Sequence, residues 1–474
     1  MSIVTTSQPK DSLRYFVLVF LVSCVFFWND GISLELFNLY GADRFAWSTV
    51  SVVFVLVIVF IILGIFRPIN ITNNWYIKSL LWLMLIVLAP ILLSSIRLYG
   101  QAWSAILRRP FFFGGYLIFP ILILLRLSKK ETLHFFWGLM ILSLIASSLT
   151  CLVYFEPDLQ DIFVKEMTWV RFGKLRVGGG RILPNLSMIL FFVSIAGFID
   201  ASRGWLRIGA FFNAFVMFWM FFYVWKTRGI IFPLMVALIV IWLFQLELRN
   251  RMKVLFAVGF ALICSLLFSI LGGEFPVINP LKELYRLSIE EYTAYGGTIG
   301  SRIEAIGYYF TEFKRTCFVG VGLTSTTMNT ENPVSMGLLY YRLNMNDIGI
   351  FGMIYKFGVP VIIFLFVMFR RLLRDLSELR SEGQEEVRII ASGIMFFLVF
   401  NIAGLFFTKA FFFPKFSLFY GLLLYFVWRL KQPDFVTDEK KGSILPLAET
   451  QRIRNQPMKK MQQEHSYFPY GRNA

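Results

Sequence analysis

The sequence predicts an all-α polytopic integral membrane protein with about 12 transmembrane helices and a large external loop that contains amphipathic helices. Of its 474 residues, 57% are hydrophobic and 16% are charged, which is far too apolar for a soluble protein of this length. The apolar residues form blocks about as long as a bilayer is thick, and runs such as MVALIVIWLF lack the alternation of transmembrane strands. Lipid offers backbone polar groups no partner, so these blocks are expected to be helices.

The spans belong to one predicted membrane domain, residues 1–432, which is followed by a flexible cytoplasmic tail, 433–474, rich in Gln, Lys and Arg. Lys10 and Arg14 precede the first apolar run and no small-residue cleavage site clearly follows it, so we expect a retained helix. The approximate cores of the spans are 13–28, 47–66, 79–96, 111–125, 134–155, 186–200, 208–225, 229–247, 254–272, 348–369, 389–407 and 416–430.

The distribution of Lys and Arg predicts the orientation of these spans. Alternate connections carry the basic excess, which places them and both termini in the cytoplasm. The long connections at about 156–185 and 273–347 are then external. One connection, 97–109, is expected outside yet carries three arginines, so it is either an interfacial helix or follows a miscounted span. The net charge of +17 reflects this topology, and we expect no nucleic-acid partner.

The larger external loop is predicted to contain two amphipathic helices. LKELYRLSIEEY has amphipathic spacing, YGGTIGS interrupts it, and RIEAIGYYFTEFKR reproduces the pattern. Such helices often lie on the membrane surface. The four cysteines and two histidines form no metal-binding pattern, so we predict neither a metal site nor a cofactor.

Cationic side chains collect at three predicted external places. These are VRFGKLRVGGGRILPN (170–185), the turn KTRG (226–229) and the pair of segments GSRIEAIGYY and RLNMNDIGIFGMIYKFG. A guanidinium offers a planar fork that matches phosphate oxygens, and fixed cations stabilise charge that develops on a leaving group. A lipid-linked sugar pyrophosphate at the outer interface would use such donors. Each residue has a structural alternative, since Lys and Arg at helix ends also extend towards lipid headgroups.

Two carboxylates are candidates for proton transfer. Asp347 directly precedes an apolar run, so it is equally suited to capping the tenth span or to acting as a general base. Glu304 either serves as a base or pairs with a basic residue of the loop.

The order of these motifs resembles the O-antigen polymerase and ligase superfamily. RVGGGRILPNLSMILFF is similar to the motif that enters a central span in that family, and KTRG is similar to its (S/T)-R-(G/S) turn. GSRIEAIGYYFTEFKRTCFVGVGLTS resembles its S-G-R…P-x-x-G-x-G segment, and NDIGIFGMIYKFGVPVI resembles its N-D-I-G…(Y/F)-G-(I/V) segment. The resemblance covers residues about 170 to 370.

This resemblance implies a GT-C-like fold and a metal-independent, inverting glycosyltransferase. The substrate would be an undecaprenyl-pyrophosphate-linked oligosaccharide at the outer face of a bacterial plasma membrane. By motif position, Arg176, Arg228 and Arg302 would hold the pyrophosphate. The expected site is completed by binding residues Arg181, Lys226 and Asn185, and by catalytic residues Asp347, Glu304 and Arg228. Expected partners are membrane lipid, a flippase and a chain-length regulator.

Three functions remain in view at this point. The family's ligases place a His-Asn pair where this chain reads MNDIGI, so the missing histidine favours a polymerase over a ligase and leaves the base unassigned. A transporter of lipid-linked sugar would concentrate charge in broken helices near the middle of the membrane. This sequence places its charges at span ends and in outer loops instead.

Overall fold

The computed structural model describes part of the chain, and that part is overwhelmingly helical. Two predicted spans, 13–28 and 254–272, lie outside it, as does most of the span 47–66. The described residues are 56–61, 74–96, 112–155, 168–171, 174–177, 184–221, 228–245, 252, 297–322, 348–404, 417–432, 435–438 and 443–446.

The helices follow the apolar blocks of the sequence closely. In chain order they are α1 Trp75–Pro90, continued by a π-helical turn Ile91–Ile96; a 3₁₀ turn Phe112–Leu117 leading into α2 Ile118–Leu125; α3 Lys129–Phe155; α4 Pro184–Asp200; α5 Gly204–Met220; α6 Arg228–Val240, continued by a π-helical turn Ile241–Gln245; α7 Gly297–Arg315; α8 Gly349–Phe357; α9 Pro360–Glu382; α10 Glu385–Gly404; and α11 Ser417–Lys431.

Two short antiparallel hairpins interrupt this helical pattern. Strands β1 (Thr168–Arg171) and β2 (Lys174–Val177) pair within the connection predicted as an external loop. Strands β3 (Phe435–Asp438) and β4 (Ser443–Pro446) pair within the tail that the composition predicts to be flexible.

Two of the described helices are long and apolar enough to cross a membrane, Trp75–Ser94 and Glu385–Gly404. A third span is obtained if α8 and α9 are counted together, although they are bent by 119° at the break between them. The span predicted over 348–369 thus consists of two helices, which Gly358 and Val359 separate. Shorter apolar helices accompany them, and the total of about 12 spans stays a prediction.

One end of the assembly, which we call the Asp375 end, joins α1, α2, α9 and α11. The hydroxyl of Tyr76 donates to Oδ2 of Asp375 at 2.6 Å, and Nζ of Lys431 lies 2.5 Å from Oδ1 of the same carboxylate. Nε of Arg429 donates to the carbonyl of Leu127 at 2.6 Å. The beginning of α1 therefore meets the ends of α2 and α11 at the polar half of α9.

The same end joins α3, α5 and α10. The hydroxyl of Ser202, just before α5, donates to Glu385 at 2.6 Å, and the indole of Trp137 near the beginning of α3 donates to Glu386. These contacts bring together chain ends that the Lys and Arg distribution assigns to one side of the membrane. The orientation of the spans in a membrane stays a prediction.

The opposite end, which we call the Gly358 end, contains the break between α8 and α9. Helix α4 runs antiparallel to α10, because Asp200 contacts Ser392 near the Asp375 end while Phe192 packs on Phe400 further along. The ring of Phe221, at the end of α5, packs 5.4 Å from Phe191 in α4. Helix α4 thus begins, and α5 ends, away from the Asp375 end. Because α9 is 23 residues long, it spans about 34 Å and carries its first residue to the Gly358 end.

Candidate functional site

The candidate site is the junction between the loop that follows α7 and the end of α8. It contains two of the segments that the sequence analysis singled out, one ending in FVGVG and the other in YKFG.

Helix α7 begins earlier than the sequence indicates and ends in a Schellman motif. Gly297 is its first residue, so GTIGS belongs to the helix and does not interrupt it. At the other end, the N–H of Phe318 donates to the carbonyl of Phe313 at 3.1 Å and that of Cys317 donates to Lys314 at 3.0 Å. Cys317 adopts a left-handed conformation with φ of 52°, as this motif requires. The rings of Phe313 and Phe318 then pack edge to face at 5.2 Å.

The chain leaving this motif binds to the end of α8. The N–H of Val321 donates to the carbonyl of Tyr355 at 2.7 Å, and the N–H of Gly322 donates to that of Lys356 at 2.9 Å. Carbonyls in the last turn of a helix have no partner within the helix, so an outside donor satisfies them. The loop thereby supplies the hydrogen bonds that complete the end of α8.

Two glycines allow this close approach. Gly320 has φ of +103° and Gly358 has φ of +79°, in the range that side chains disfavour. A Cβ atom on Gly358 would lie 2.7 Å from the carbonyl oxygen of Phe318. Helix α9 begins directly after this contact with Pro360 in its first turn, which suits a residue that lacks an N–H. The bend between α8 and α9 is therefore held by the loop.

A small apolar core fixes α7 against α8. Ala305, Tyr309 and Phe313 recur at intervals of four residues along α7, and they are buried against Ile348 and Tyr355. The hydroxyl of Tyr355 also donates to the carbonyl of Ile306 at 3.2 Å. This core is separate from the main core of the helical assembly, to which α8 contributes Met353 and Phe357, so α8 packs on α7 with one set of residues and on the main assembly with another.

Tyr309 is the unusual member of this core. Its side chain is fully buried, and its hydroxyl has no hydrogen-bond partner in the part of the chain that the structure describes. Burial raises the pKa of the Tyr309 phenol, and the neighbouring Tyr308 adds to the effect. The hydroxyl is therefore protonated at neutral pH.

The candidate residues Glu304 and Arg302 both lie on α7. Glu304 is exposed and adjoins Ala305 of the small core. The side chain of Arg302 lies outside the described residues, although its backbone is helical.

Asp347 lies outside the described residues, but it is covalently joined to Ile348, which packs on α7. The N-cap of α8 is Ile348 and makes no side-chain hydrogen bond. The alternative that Asp347 caps α8 stays a prediction, because Asp347 lies outside the described residues. The structure thus brings the segment bearing Arg302 and Glu304 against the beginning and end of α8.

The remaining candidates belong to other elements. Arg176 lies on β2, paired with Trp169 across the hairpin, and Asn185 is the second residue of α4. Arg228 is the first residue of α6, so it belongs to a helical turn and not to the connection before it. The side chains of these three residues, and the whole of Arg181 and Lys226, lie outside the described residues.

The contact between Gly320 and Gly358 could not be predicted from the sequence. The glycines of FVGVG and KFGVP mark the positions where two backbones meet. Glycines close to a proline are typical of turns, and this was the sequence feature that could have indicated the contact. The chain matches no protein-family model and no curated protein.

Proposed function

We propose that this protein is a polysaccharide polymerase that joins undecaprenyl-pyrophosphate-linked oligosaccharide repeat units at the outer face of the bacterial plasma membrane. The observation that carries the proposal is the Gly320–Gly358 junction. Two motifs that resemble those of the O-antigen polymerase and ligase superfamily are far apart in sequence, yet Val321 and Tyr355 are hydrogen-bonded at 2.7 Å. A shared site explains why both motifs occur in one chain.

The proposed donor site uses fixed positive charge. The pyrophosphate lies among Arg176, Lys226, Arg228 and Arg302, with Arg181 and Asn185 contributing further donors. Because Arg228 opens α6, the free N–H groups and dipole of that helix add to its positive potential. Asn185 has the equivalent position at the beginning of α4. Helix N-termini and guanidinium groups suit the same anionic ligand.

The proposed reaction is a displacement at the anomeric carbon. A hydroxyl of the acceptor repeat unit attacks that carbon, the bond to the pyrophosphate oxygen breaks, and undecaprenyl pyrophosphate leaves. Asp347 or Glu304 accepts the hydroxyl proton. Glu304 adjoins the contact of α7 with α8, and Asp347 precedes Ile348 of that contact in the sequence, which supports both as candidates. Since the leaving group is already good, cationic stabilisation contributes more than the base.

The bend between α8 and α9 is the observation that favours a transporter of lipid-linked sugar. Transporters use the ends of broken helices to coordinate coupling ions. Here the carbonyls of Tyr355 and Lys356 already accept hydrogen bonds from Val321 and Gly322. These carbonyls are engaged by protein, which supports the polymerase over the transporter.

A ligase is the nearer alternative, with transfer of finished glycan to an acceptor. The segment MNDIGI leads directly into α8 and has no histidine. The family's ligase motif lacks a counterpart there, so chain extension is the better supported activity.

The experiment that tests the proposal uses the purified full chain in detergent or nanodiscs. It receives lipid-linked repeat units without nucleotide and without an ion gradient, and products are separated by length on a gel. Lengthened glycan and released undecaprenyl pyrophosphate are expected. Unchanged substrate in the presence of folded protein would contradict the proposal, and transfer to an added acceptor without lengthening would indicate the ligase.

A further inference from the structure

A groove runs between α1 and α9 on the surface of the helical assembly. It encloses a cavity of about 470 Å³ that is open on one side. Trp82, Ile86, Ile363 and Val367 line it, and Trp82 and Ile363 are each 63% exposed. Helix α1 belongs to a segment apolar enough to cross a membrane. In a membrane, a groove on such a segment would face the hydrocarbon of the bilayer.

The groove has one polar end. Lys78 and Ser79 line it there, and Lys78 is exposed. The guanidinium of Arg371 lies over the ring of Trp75 at 5.7 Å, so this end of the groove is the Asp375 end. Arg370 is also exposed and follows Val367 by three residues, which places it about one helical turn further along α9.

The charge at this end is not balanced by the nearby carboxylates. Asp375 and Glu378 are both within 2.5 Å of Nζ of Lys431, and Arg371 donates to Asp375 at 3.1 Å. No ion pair of Lys78 occurs among the residues that the structure describes. A lipid phosphate can bind an exposed ammonium group while the hydrocarbon chain of the same lipid lies in the adjacent apolar groove.

We propose that the groove between α1 and α9 binds one anionic phospholipid, with its acyl chain along Trp82 and Ile363 and its phosphate at Lys78. The choice of a phospholipid over the polyprenyl carrier rests on the proposed function. A polyprenyl carrier also combines phosphate with a hydrocarbon chain. It would lie in the groove in the opposite direction, because its pyrophosphate is proposed to bind at the Gly358 end. A phospholipid whose headgroup lies at the Asp375 end matches the position of the lysine.

Native mass spectrometry of the detergent-solubilised full chain, titrated with phosphatidylglycerol or phosphatidylcholine, tests this site. The wild type is expected to retain one phosphatidylglycerol in preference to phosphatidylcholine. Lys78→Gln is expected to weaken phosphatidylglycerol binding about five-fold, the loss of one cation at an anionic headgroup. Ile363→Trp fills the groove and is expected to remove the bound lipid of either kind.

The matched control is Lys130→Gln. Lys130 is an exposed lysine near the beginning of α3 and does not line the groove, so its replacement is expected to leave lipid binding unchanged. Equal binding of the two phospholipids to the wild type, or equal losses in Lys78→Gln and Lys130→Gln, would overturn the proposal. Displacement of phosphatidylglycerol by undecaprenyl phosphate at equal concentration would also overturn it, by assigning the groove to the carrier. Failure of the polymerase assay would leave the preference for phosphatidylglycerol and the effects of Lys78→Gln and Ile363→Trp unchanged, because these are measured without lipid-linked sugar.

Discussion

The backbones of Gly320 and Gly358 are in direct contact. A Cβ atom on Gly320 would lie 2.5 Å from the carbonyl oxygen of Lys356 and 2.7 Å from the backbone nitrogen of Gly358. This contact closes the bend between α8 and α9 and fixes the loop that follows α7. The geometry of the candidate site therefore depends on two positions that carry no functional group.

Alanine at either glycine is expected to damage the junction. Gly320→Ala and Gly358→Ala each impose strain of about 1–3 kcal/mol at a positive φ, and a backbone shift adds to it. Thermal unfolding of the purified variants measures the loss, and the polymerase assay measures its effect on product. Gly307→Ala is the matched control, because a Cβ there meets nothing within 4 Å. If Gly320→Ala were as stable and active as Gly307→Ala, the junction would not support the site.

The pyrophosphate site predicts that Arg228→Ala abolishes product. Arg228→Lys is expected to restore it only in part, because a lysine lacks the planar fork of the guanidinium. Asp347→Asn is expected only to slow the reaction. The measurement is glycan length on a gel from strains that carry each variant.

Arg203→Ala is the control for Arg228→Ala. Arg203 is an exposed residue at the N-cap of α5, near the Asp375 end, and its loss is expected to leave glycan length unchanged. Glycan of wild-type length in the Arg228→Ala strain would refute the assignment of that residue.

The two tyrosines of the α7–α8 core form a matched pair. Tyr355→Phe removes the hydrogen bond to the carbonyl of Ile306 and is expected to lower the free energy of unfolding by about 1 kcal/mol. Tyr309→Phe removes a buried hydroxyl without a described partner and is expected to be neutral or stabilising. Unfolding of both variants in denaturant distinguishes them. A larger loss from Tyr309→Phe would show that its hydroxyl has a partner in the native protein.

Asp375 makes the main polar contacts at the Asp375 end of the helical assembly. Its side chain is 1% exposed and is bound by Tyr76, Arg371 and Lys431. Asp375→Asn leaves cations that are themselves about two-thirds buried without a counter-ion, so we expect a loss of about 2–3 kcal/mol.

Glu378→Gln is the comparison for Asp375→Asn, since Glu378 is 43% exposed. Its expected cost is about 0.5 kcal/mol. Thermal unfolding in detergent measures both variants. Equal effects would mean that burial of the Asp375 carboxylate does not set the strength of its polar contacts.

Hydropathy predicted the positions of the described helices well, because an apolar block long enough to approach bilayer thickness has one satisfactory backbone conformation in lipid. Hydropathy did not predict the 119° bend at Gly358, because the apolar run continues through it. One glycine and one proline hardly change the mean hydropathy of the run, whereas in the backbone they separate two helices. The hairpin of β1 and β2 was missed for a related reason, since a four-residue strand is too short to show periodicity.

The polar contacts between distant elements could not be predicted from the sequence. Asp375 looks like one charge among many in RRLLRDLSELR, and its neighbour at Tyr76 is 299 residues away. The same limit applies to the candidate site. Motif order suggested that the FVGVG and YKFG segments belong together, but the hydrogen bonds from Val321 and Gly322 depend on the fold.

The direction in which the cationic positions face is the claim on which the proposed activity depends most. Labelling of intact cells with a membrane-impermeant maleimide tests it, using Lys226→Cys in a Cys317→Ser background and Lys130→Cys as the reference for the other side. We predict that Lys226→Cys is labelled before lysis and that Lys130→Cys is labelled only afterwards. Labelling in the reverse order would place the arginines in the cytosol and contradict the account.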